Sequence, residues 1–125
     1  MMMDTDVLIW ASRGNARAVD VLSKQQGFYL SVVAYMEMVQ GVRSKQELAA
    51  LQKALRLWSA RVLHITDAIS QRAMFLMERH SLSHALTLAD ALIAATALQH
   101  QEPLLTSNAK HYGAIPGLTL LRFTP

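Results

Sequence analysis

Met3-Asp4-Thr5-Asp6-Val7-Leu8-Ile9 is the stretch on which the fold of this chain depends. It is an apolar run interrupted by two aspartates, and this pattern predicts a buried strand that ends near Asp4–Leu8. Carboxylates are rarely buried without a partner, and nothing basic is adjacent to Asp4 or Asp6 in the sequence. The stretch therefore predicts the first strand of a sheet and an acidic site close to its end.

Downstream of this stretch, the apolar periodicity and the capping residues predict alternating helices and strands. The predicted elements are, in order, a helix over about 15–26, a strand at 28–30, a helix from the N-cap Ser31 to 40, a helix from the capping box at 44–47, a strand at 62–65, a helix to about 80, a helix over 87–100, a strand at 103–106, a turn or one-turn helix at 107–113 and an edge strand at 118–123. Repeated units of this kind predict an α/β fold, a three-layer α/β/α sandwich around a mainly parallel sheet.

Length and composition set the class of protein. With 125 residues, 52% of them hydrophobic, the chain is expected to form a single domain over residues 1–125. The absence of cysteine excludes disulfides and thiolate-metal chemistry and is compatible with the cytoplasm, and no apolar run is long enough for a membrane span, so we expect a protein without membrane contact. The formal charge of +3 favours a polyanionic partner only mildly.

Two further acids interrupt apolar segments, in a chain with nine acidic residues altogether. Glu37 lies within 32–39, and Asp90 lies within 86–95. In an open parallel sheet the reactive crevice lies beyond the carboxyl ends of the strands, so we expect these acids to converge there with Asp4 and Asp6. The natural partner of several converging carboxylates is a hard divalent cation, Mg²⁺ or Mn²⁺.

Taken singly, each acid also has a purely structural interpretation. Thr87-Leu88-Ala89-Asp90 has the form of a capping box, in which the acid satisfies the start of a helix. Glu37 is equally compatible with the solvated side of its helix, and Asp4-Thr5-Asp6 with an Asx turn at a strand end. The combination of all these positions is more specific than any one of them.

The sequence resembles the PIN-domain ribonucleases over essentially its whole length. Within that family it resembles the VapC-type toxins of bacterial type II toxin–antitoxin systems. The matching segments are 3–9, 31–41, 88–98 and 104–112. The resemblance implies that Asp4, Glu37 and Asp90 are the catalytic, metal-binding carboxylates. It implies supporting roles for Asp6, Thr106, Ser107, Asn108 and His111.

His111 is a departure from the family pattern, because many members have a fourth acid at about this position. Three interpretations stay open: His111 ligates or orients a water, contacts a phosphate, or has no chemical role. The departure also leaves open whether one or two metal ions bind, since fewer anionic ligands are available for the second.

The function implied by the resemblance is that of an Mg²⁺- or Mn²⁺-dependent endoribonuclease toxin, with tRNA or another structured RNA as substrate. Hydrolysis would leave a 5′-phosphate and a 3′-hydroxyl, a cognate antitoxin would neutralise the enzyme, and the protein would be a homodimer. One alternative is a haloacid-dehalogenase-like phosphohydrolase with Asp4 as nucleophile and Asp6 as acid and base. Another is a catalytically silent PIN-like module that binds RNA or protein.

Several surface features carry two interpretations each. The stripe of Leu48, Leu51, Leu55 and Trp58 predicts either core packing or a partner or dimer surface. Trp10 predicts either core packing or stacking on a base. The basic candidates for phosphate contacts, each of which is equally compatible with a solvated surface, are Arg13, Arg17, Arg43 and Lys110.

Overall fold

Strands and helices alternate through the chain, as the apolar periodicity predicts. The computed structural model describes residues 1–113 and 115–125. The elements within these residues are β1 (Met2–Met3), α1 (Thr5–Ser12), α2 (Ala16–Lys24), β2 (Tyr29–Ser31), α3 (Val32–Gly41), α4 (Lys45–Leu57), β3 (Arg61–Leu63), α5 (Asp67–His84), α6 (Leu88–His100), β4 (Leu104–Thr106), α7 (Ala109–Tyr112) and β5 (Leu120–Arg122).

The five strands form one sheet in the order β3-β2-β1-β4-β5, and every neighbouring pair is parallel. The sheet centre is fully buried, since Met2, Met3 and Leu104 expose none of their surface. Because crossovers between parallel strands are right-handed, the connections that run outward to β3 and those that return to β4 and β5 are expected to place their helices on opposite faces of the sheet. The predicted three-layer α/β/α fold with a parallel sheet is confirmed.

The predicted extent of the first strand is wrong. β1 ends at Met3, and the apolar residues that follow Asp4 form helix α1 instead of continuing the strand. Val7, Leu8 and Ala11 are buried on one side of α1 at three- and four-residue spacing. A short apolar run is compatible with either a buried strand or a buried helix, and here the start of the helix is decided by Asp4, whose side chain caps it.

The predicted helix starts are confirmed by the N-cap residues. Asn15, Ser31, Ser44, Thr66 and Thr87 each accept a hydrogen bond from a backbone N–H of the helix that follows. α5 is longer than predicted, because it continues to His84 before Ala85 adopts the left-handed conformation. None of the helices in the described ranges has the length and apolar character that crossing a membrane requires.

The α4 stripe packs mainly inward. Leu55 is buried, and Leu51 and Trp58 are half-buried against the core. The Trp58 ring lies 6.4 Å from the ring of Phe28, measured between centroids, at a tilted angle typical of aromatic pairs. The core interpretation is therefore confirmed for these three positions. The predicted capping box at 44–47 forms only in part. The Ser44 hydroxyl accepts from the Glu47 N–H, but the Glu47 side chain accepts from the Arg43 N–H and not from that of Ser44.

Candidate active site

The predicted acids lie around the carboxyl ends of β1 and β4, at the centre of the sheet. The chain proceeds from β1 to β2 and β3 on one side, and returns to β4 and β5 on the other. The boundary between β1 and β4 is therefore the point where strand order reverses, which is where open α/β sheets form their crevice. Asp4 follows β1 and Ser107 follows β4 at this boundary.

Asp4 is held by hydrogen bonds from both strand ends. Its side chain is almost fully buried, with the residue 5% exposed. Oδ1 accepts from the backbone N–H of Thr5 at 2.8 Å, and Oδ2 accepts from the Thr106 hydroxyl, also at 2.8 Å. The carboxylate is thus fixed in orientation before any ligand binds, because donors on two different elements occupy one lone pair of each oxygen.

The pKa of Asp4 is raised from 3.8 to about 6, first because the carboxylate is buried and second because the charge of Asp6 is close. Hydrogen bonds from Thr106, Thr5 and Tyr112 lower the pKa and only partly offset the effect of burial. Near neutral pH the ionised form is therefore held at a cost in free energy. A divalent cation beside Asp4 would remove that cost, since it stabilises the ionised form.

Asp6 binds the loop that follows β4. Its Oδ2 accepts from the Ser107 backbone N–H at 2.9 Å and from the Ser107 hydroxyl, while Oδ1 accepts from the Val7 N–H at 2.8 Å. Within the same loop, the Asn108 N–H donates to the Thr106 hydroxyl at 2.9 Å. The polar segment 106–108 is thereby tied to both aspartates at the start of α1.

Glu37 approaches the site from α3 and is exposed. The Thr5 hydroxyl donates to Glu37 Oε1 at 2.7 Å, and the backbone of Thr5 is bonded to Asp4. Thr5 therefore connects the second predicted acid to the first. This bridging residue was not identified from the sequence, where the threonine is only the spacer between two aspartates.

Asp90 lies in the first turn of α6 and also faces the site. Thr87 caps the helix through the Asp90 N–H at 3.2 Å, so the capping interpretation is correct for the threonine. The carboxylate has other partners: Oδ1 accepts from the Tyr112 hydroxyl at 3.1 Å, and Oδ2 lies 3.3 Å from His111 Nδ1. His111 is half-exposed and is placed directly beside a predicted catalytic acid.

Tyr112 donates a hydrogen bond to Asp90 and lies near Asp4, and it was also missed in the sequence. Its side chain is buried, with the residue 1% exposed. Burial raises the pKa of the Tyr112 hydroxyl well above its ordinary value, and the charges of Asp4 and Asp90 raise it further. The hydroxyl therefore stays protonated and acts as a donor toward the acids. Its only sequence signal is its place in the segment 104–112 that carries the resemblance.

The carboxylate oxygens of these acids are suitable ligands for a divalent cation, but they do not form a complete metal site on their own. In residues 1–113 and 115–125, no group of three or more His, Cys, Asp and Glu side chains stands close enough together to hold a metal ion. Thr5 is hydrogen-bonded to both Asp4 and Glu37, and Tyr112 is hydrogen-bonded to Asp90. Mg²⁺ commonly binds one or two carboxylates and completes its shell with water and substrate phosphate, so oxygen donors arranged in this way suit it.

Comparison with known proteins places the chain in a family. The family model described as PIN domain matches residues 1–114. The chain belongs to the PIN domain family. The family resemblance seen in the sequence is confirmed, and the Asp4–Asp6 pair is assigned to a PIN domain and not to a haloacid dehalogenase.

Relatives of this PIN domain include proteins of known activity and structure. The chain is 29% identical over 124 residues to Ribonuclease VapC19 of Mycobacterium tuberculosis, covering 94% of this chain and 95% of the relative. It is 28% identical to a chain of a toxin–antitoxin complex from Klebsiella pneumoniae, with a TM-score of 0.75 over 99% of this chain and 96% of that one. A chain of DNA-bound VapBC from Salmonella typhimurium, 17% identical, has a TM-score of 0.83 over 97% and 96% of the two chains and shows the shared fold.

Proposed function

We propose that this protein is a metal-dependent endoribonuclease toxin in which residues 1–125 form a single PIN domain. The observation that carries the proposal is the buried carboxylate of Asp4, whose pKa is raised to about 6, at the reversal point of a PIN-domain sheet. Perturbed acids at such a position are typical of active sites. The similarity to a ribonuclease, VapC19, supports hydrolysis of RNA as the reaction.

In this proposal Asp4, Glu37 and Asp90 are the metal-binding carboxylates for Mg²⁺ or Mn²⁺. In the metal-free chain these side chains do not stand close enough together to hold the ion by themselves, so water and substrate phosphate complete its shell. When bound, the cation supplies Lewis-acid activation of water and electrostatic stabilisation of the phosphate under attack. Asp6 and Thr106 act indirectly: Asp6 holds Ser107 and the loop containing Asn108, and Thr106 orients Asp4. His111 orients Asp90.

The proposal extends to the biological setting. Structures similar to this chain come from toxin–antitoxin complexes, which supports a cognate antitoxin as the partner that neutralises the nuclease. We further propose a cytoplasmic homodimer that acts on tRNA or another structured RNA. The net charge of +3 is compatible with such a polyanionic substrate.

Removal of divalent metal is expected to abolish RNA cleavage. The purified protein is incubated with defined tRNAs and a messenger RNA in Mg²⁺, in Mn²⁺ and in chelator, and products are resolved on denaturing gels. We expect a loss of activity of at least about 100-fold in chelator and recovery when metal is restored. Products are expected to carry 5′-phosphates, which a 5′-phosphate-dependent exonuclease detects.

Undiminished cleavage in chelator would contradict the metal requirement. RNA binding without cleavage under any metal condition would favour the silent module. A phosphoenzyme trapped on Asp4 with a phosphomonoester substrate would instead favour the phosphohydrolase, because that mechanism requires Asp4 as a nucleophile.

Tyr112→Phe is expected to raise the Mg²⁺ concentration needed for half-maximal cleavage by about tenfold, because hydrogen bonds to metal-binding carboxylates orient them and tune their affinity. Tyr112 acts in this proposal as a positioning residue. The substitution removes only the hydroxyl that donates to Asp90 Oδ1. The measurement is the cleavage rate as a function of Mg²⁺, with isothermal calorimetry of metal binding as a second readout.

Tyr35→Phe is the matched control for this test. The Tyr35 hydroxyl accepts from Gln52 Nε2 at 3.2 Å, an exposed contact on α3 and α4, and removing it should leave the metal dependence unchanged. If Tyr112→Phe loses thermal stability but keeps the wild-type metal dependence, the residue has only a structural role.

A further inference from the structure

Two cavities border the end of β5 and the residues that follow it, and one of them reaches the candidate active site. The first, which we call the α7 cavity, has a volume of about 330 Å³ and is lined by residues that include Ser107, Lys110 and His111. The second, the α2 cavity, has a volume of about 300 Å³ and is lined by residues that include Arg17 and Leu105. Arg122, Phe123 and Thr124 line both cavities, so the two border the same segment, and together we call them the depression.

The α7 cavity shares its wall with the acid cluster. Ser107 is bonded to Asp6 through its backbone N–H and its hydroxyl. His111 lies 3.3 Å from Asp90, measured from Nδ1 to Oδ2. An occupant of this cavity would therefore contact Ser107 and His111, which lie against two of the four predicted acids.

The charge of the depression is basic. Lys110, Arg122 and Arg17 are all exposed, and none of the three forms a salt bridge with another described residue. Asp20 also lines the α2 cavity, but its Oδ2 lies 3.0 Å from Lys24 Nζ and its charge is already paired. The depression thus presents three uncompensated cations next to a cluster of anions.

We propose that the two cavities form a track for the RNA backbone, in which Lys110, Arg122 and Arg17 contact phosphates that flank the bond to be cut. This inference rests on the proposed nuclease function. A polyanion approaching several carboxylates is repelled by them, and basic side chains beside the site offset this repulsion and fix the register of the strand. Arg122 is the central contact because it lines both cavities.

The track distinguishes among the basic residues of the chain. Arg17 and Lys110, which the sequence marks as candidate phosphate contacts, lie on it. Arg13 and Arg43, marked in the same way, are exposed but line neither cavity. The sequence analysis did not identify Arg122 as a candidate phosphate contact. Arg122 lies in the short edge strand β5. We therefore assign phosphate contacts to Arg17, Lys110 and Arg122 alone.

Binding of a short fluorescent single-stranded RNA tests the track. All variants are made in an Asp4→Asn background so that binding is measured without cleavage, and dissociation constants are determined by fluorescence anisotropy over a range of salt concentrations. Arg122→Gln and Lys110→Gln are each expected to weaken binding about fivefold. Each should also lower the slope of log K against log salt by about 0.7, as expected for one lost phosphate contact to a single strand.

Arg72→Gln is the matched control, since Arg72 is exposed on α5, lines neither cavity, and its loss changes the net charge by the same amount. It should bind RNA within about twofold of the background protein. Arg122→Lys keeps the charge and is expected to retain the salt slope. Thermal melts of every variant verify folding.

The outcomes separate this inference from the nuclease proposal. If the protein cleaves RNA but Arg122→Gln and Lys110→Gln bind RNA like Arg72→Gln, the track is refuted and the nuclease stands. If the wild-type protein does not cleave RNA but Arg122→Gln and Lys110→Gln weaken RNA binding as expected, the track stands and the nuclease proposal fails. If both substitutions leave RNA binding unchanged but abolish binding of an acidic peptide, the depression serves a protein partner and the track is overturned.

Discussion

Asp4→Asn is expected to lower metal-dependent RNA cleavage by about a thousandfold. Asparagine has nearly the same shape as aspartate. Its single carbonyl oxygen can still accept a hydrogen bond from the Thr5 N–H or from the Thr106 hydroxyl, but not from both at ideal geometry. The loss should therefore arise mainly from the missing negative charge. Single-turnover cleavage of a defined RNA at saturating Mg²⁺ is the measurement.

Glu78→Gln is the control for this loss of charge, because Glu78 is exposed on α5 and the change from carboxylate to amide is equivalent. Its cleavage rate should match that of the wild-type protein. An Asp4→Asn variant that cleaves at more than about a tenth of the wild-type rate would remove Asp4 from the catalytic set, and the assignment would have to move to the remaining acids.

The same substitution is expected to stabilise the metal-free protein near neutral pH by about 3 kcal/mol. The pKa of Asp4 is about 6 in the folded chain against a reference of 3.8. Because the folded state binds the proton more tightly, the protonated acid favours folding below about pH 4, and this contribution is lost as pH rises from about 4 to about 6. Asparagine cannot ionise and avoids the loss.

Urea unfolding in chelator, at intervals between about pH 4 and about pH 7, measures this effect. The difference in free energy of unfolding between Asp4→Asn and wild type should grow across that window and then level off. Glu78→Gln should show no such growth. Adding Mg²⁺ should stabilise the wild-type protein most above about pH 6, where the ionised acid is available to the cation, and should not stabilise Asp4→Asn to the same extent. A pH-independent difference would contradict the raised pKa.

The order of elements and the identity of the acids were accessible from local patterns. Caps such as Ser31 and Thr87 act on backbone groups within the next three residues, so their effect is visible in the sequence. The stretch around Asp90 predicts a helix for the same reason. The start of helix α1 at Thr5, within the stretch Met3–Ile9 that was predicted as strand, was not accessible from the sequence, because apolar periodicity over so short a run is compatible with both structures.

The connections within the site depend on residues far apart in the chain. Thr106 donates to Asp4 across 102 positions, and Thr5 reaches Glu37 across 32. Tyr112 appeared in the sequence as one more aromatic residue, and its contact with Asp90 exists only because α7 folds back against α6. Arg122 and Lys110 likewise share a cavity only because β5 pairs with β4.

The sequence alone predicted which side chains can ionise, cap a helix or enter a core. These properties depend on only a few neighbouring positions in the chain. The raised pKa of Asp4, the bridge that Thr5 makes to Glu37, the contact of Tyr112 with Asp90 and the basic depression arose only on folding. They depend on desolvation and on distances of a few ångströms between distant segments, and these are set by the packing of the whole sheet and its helices.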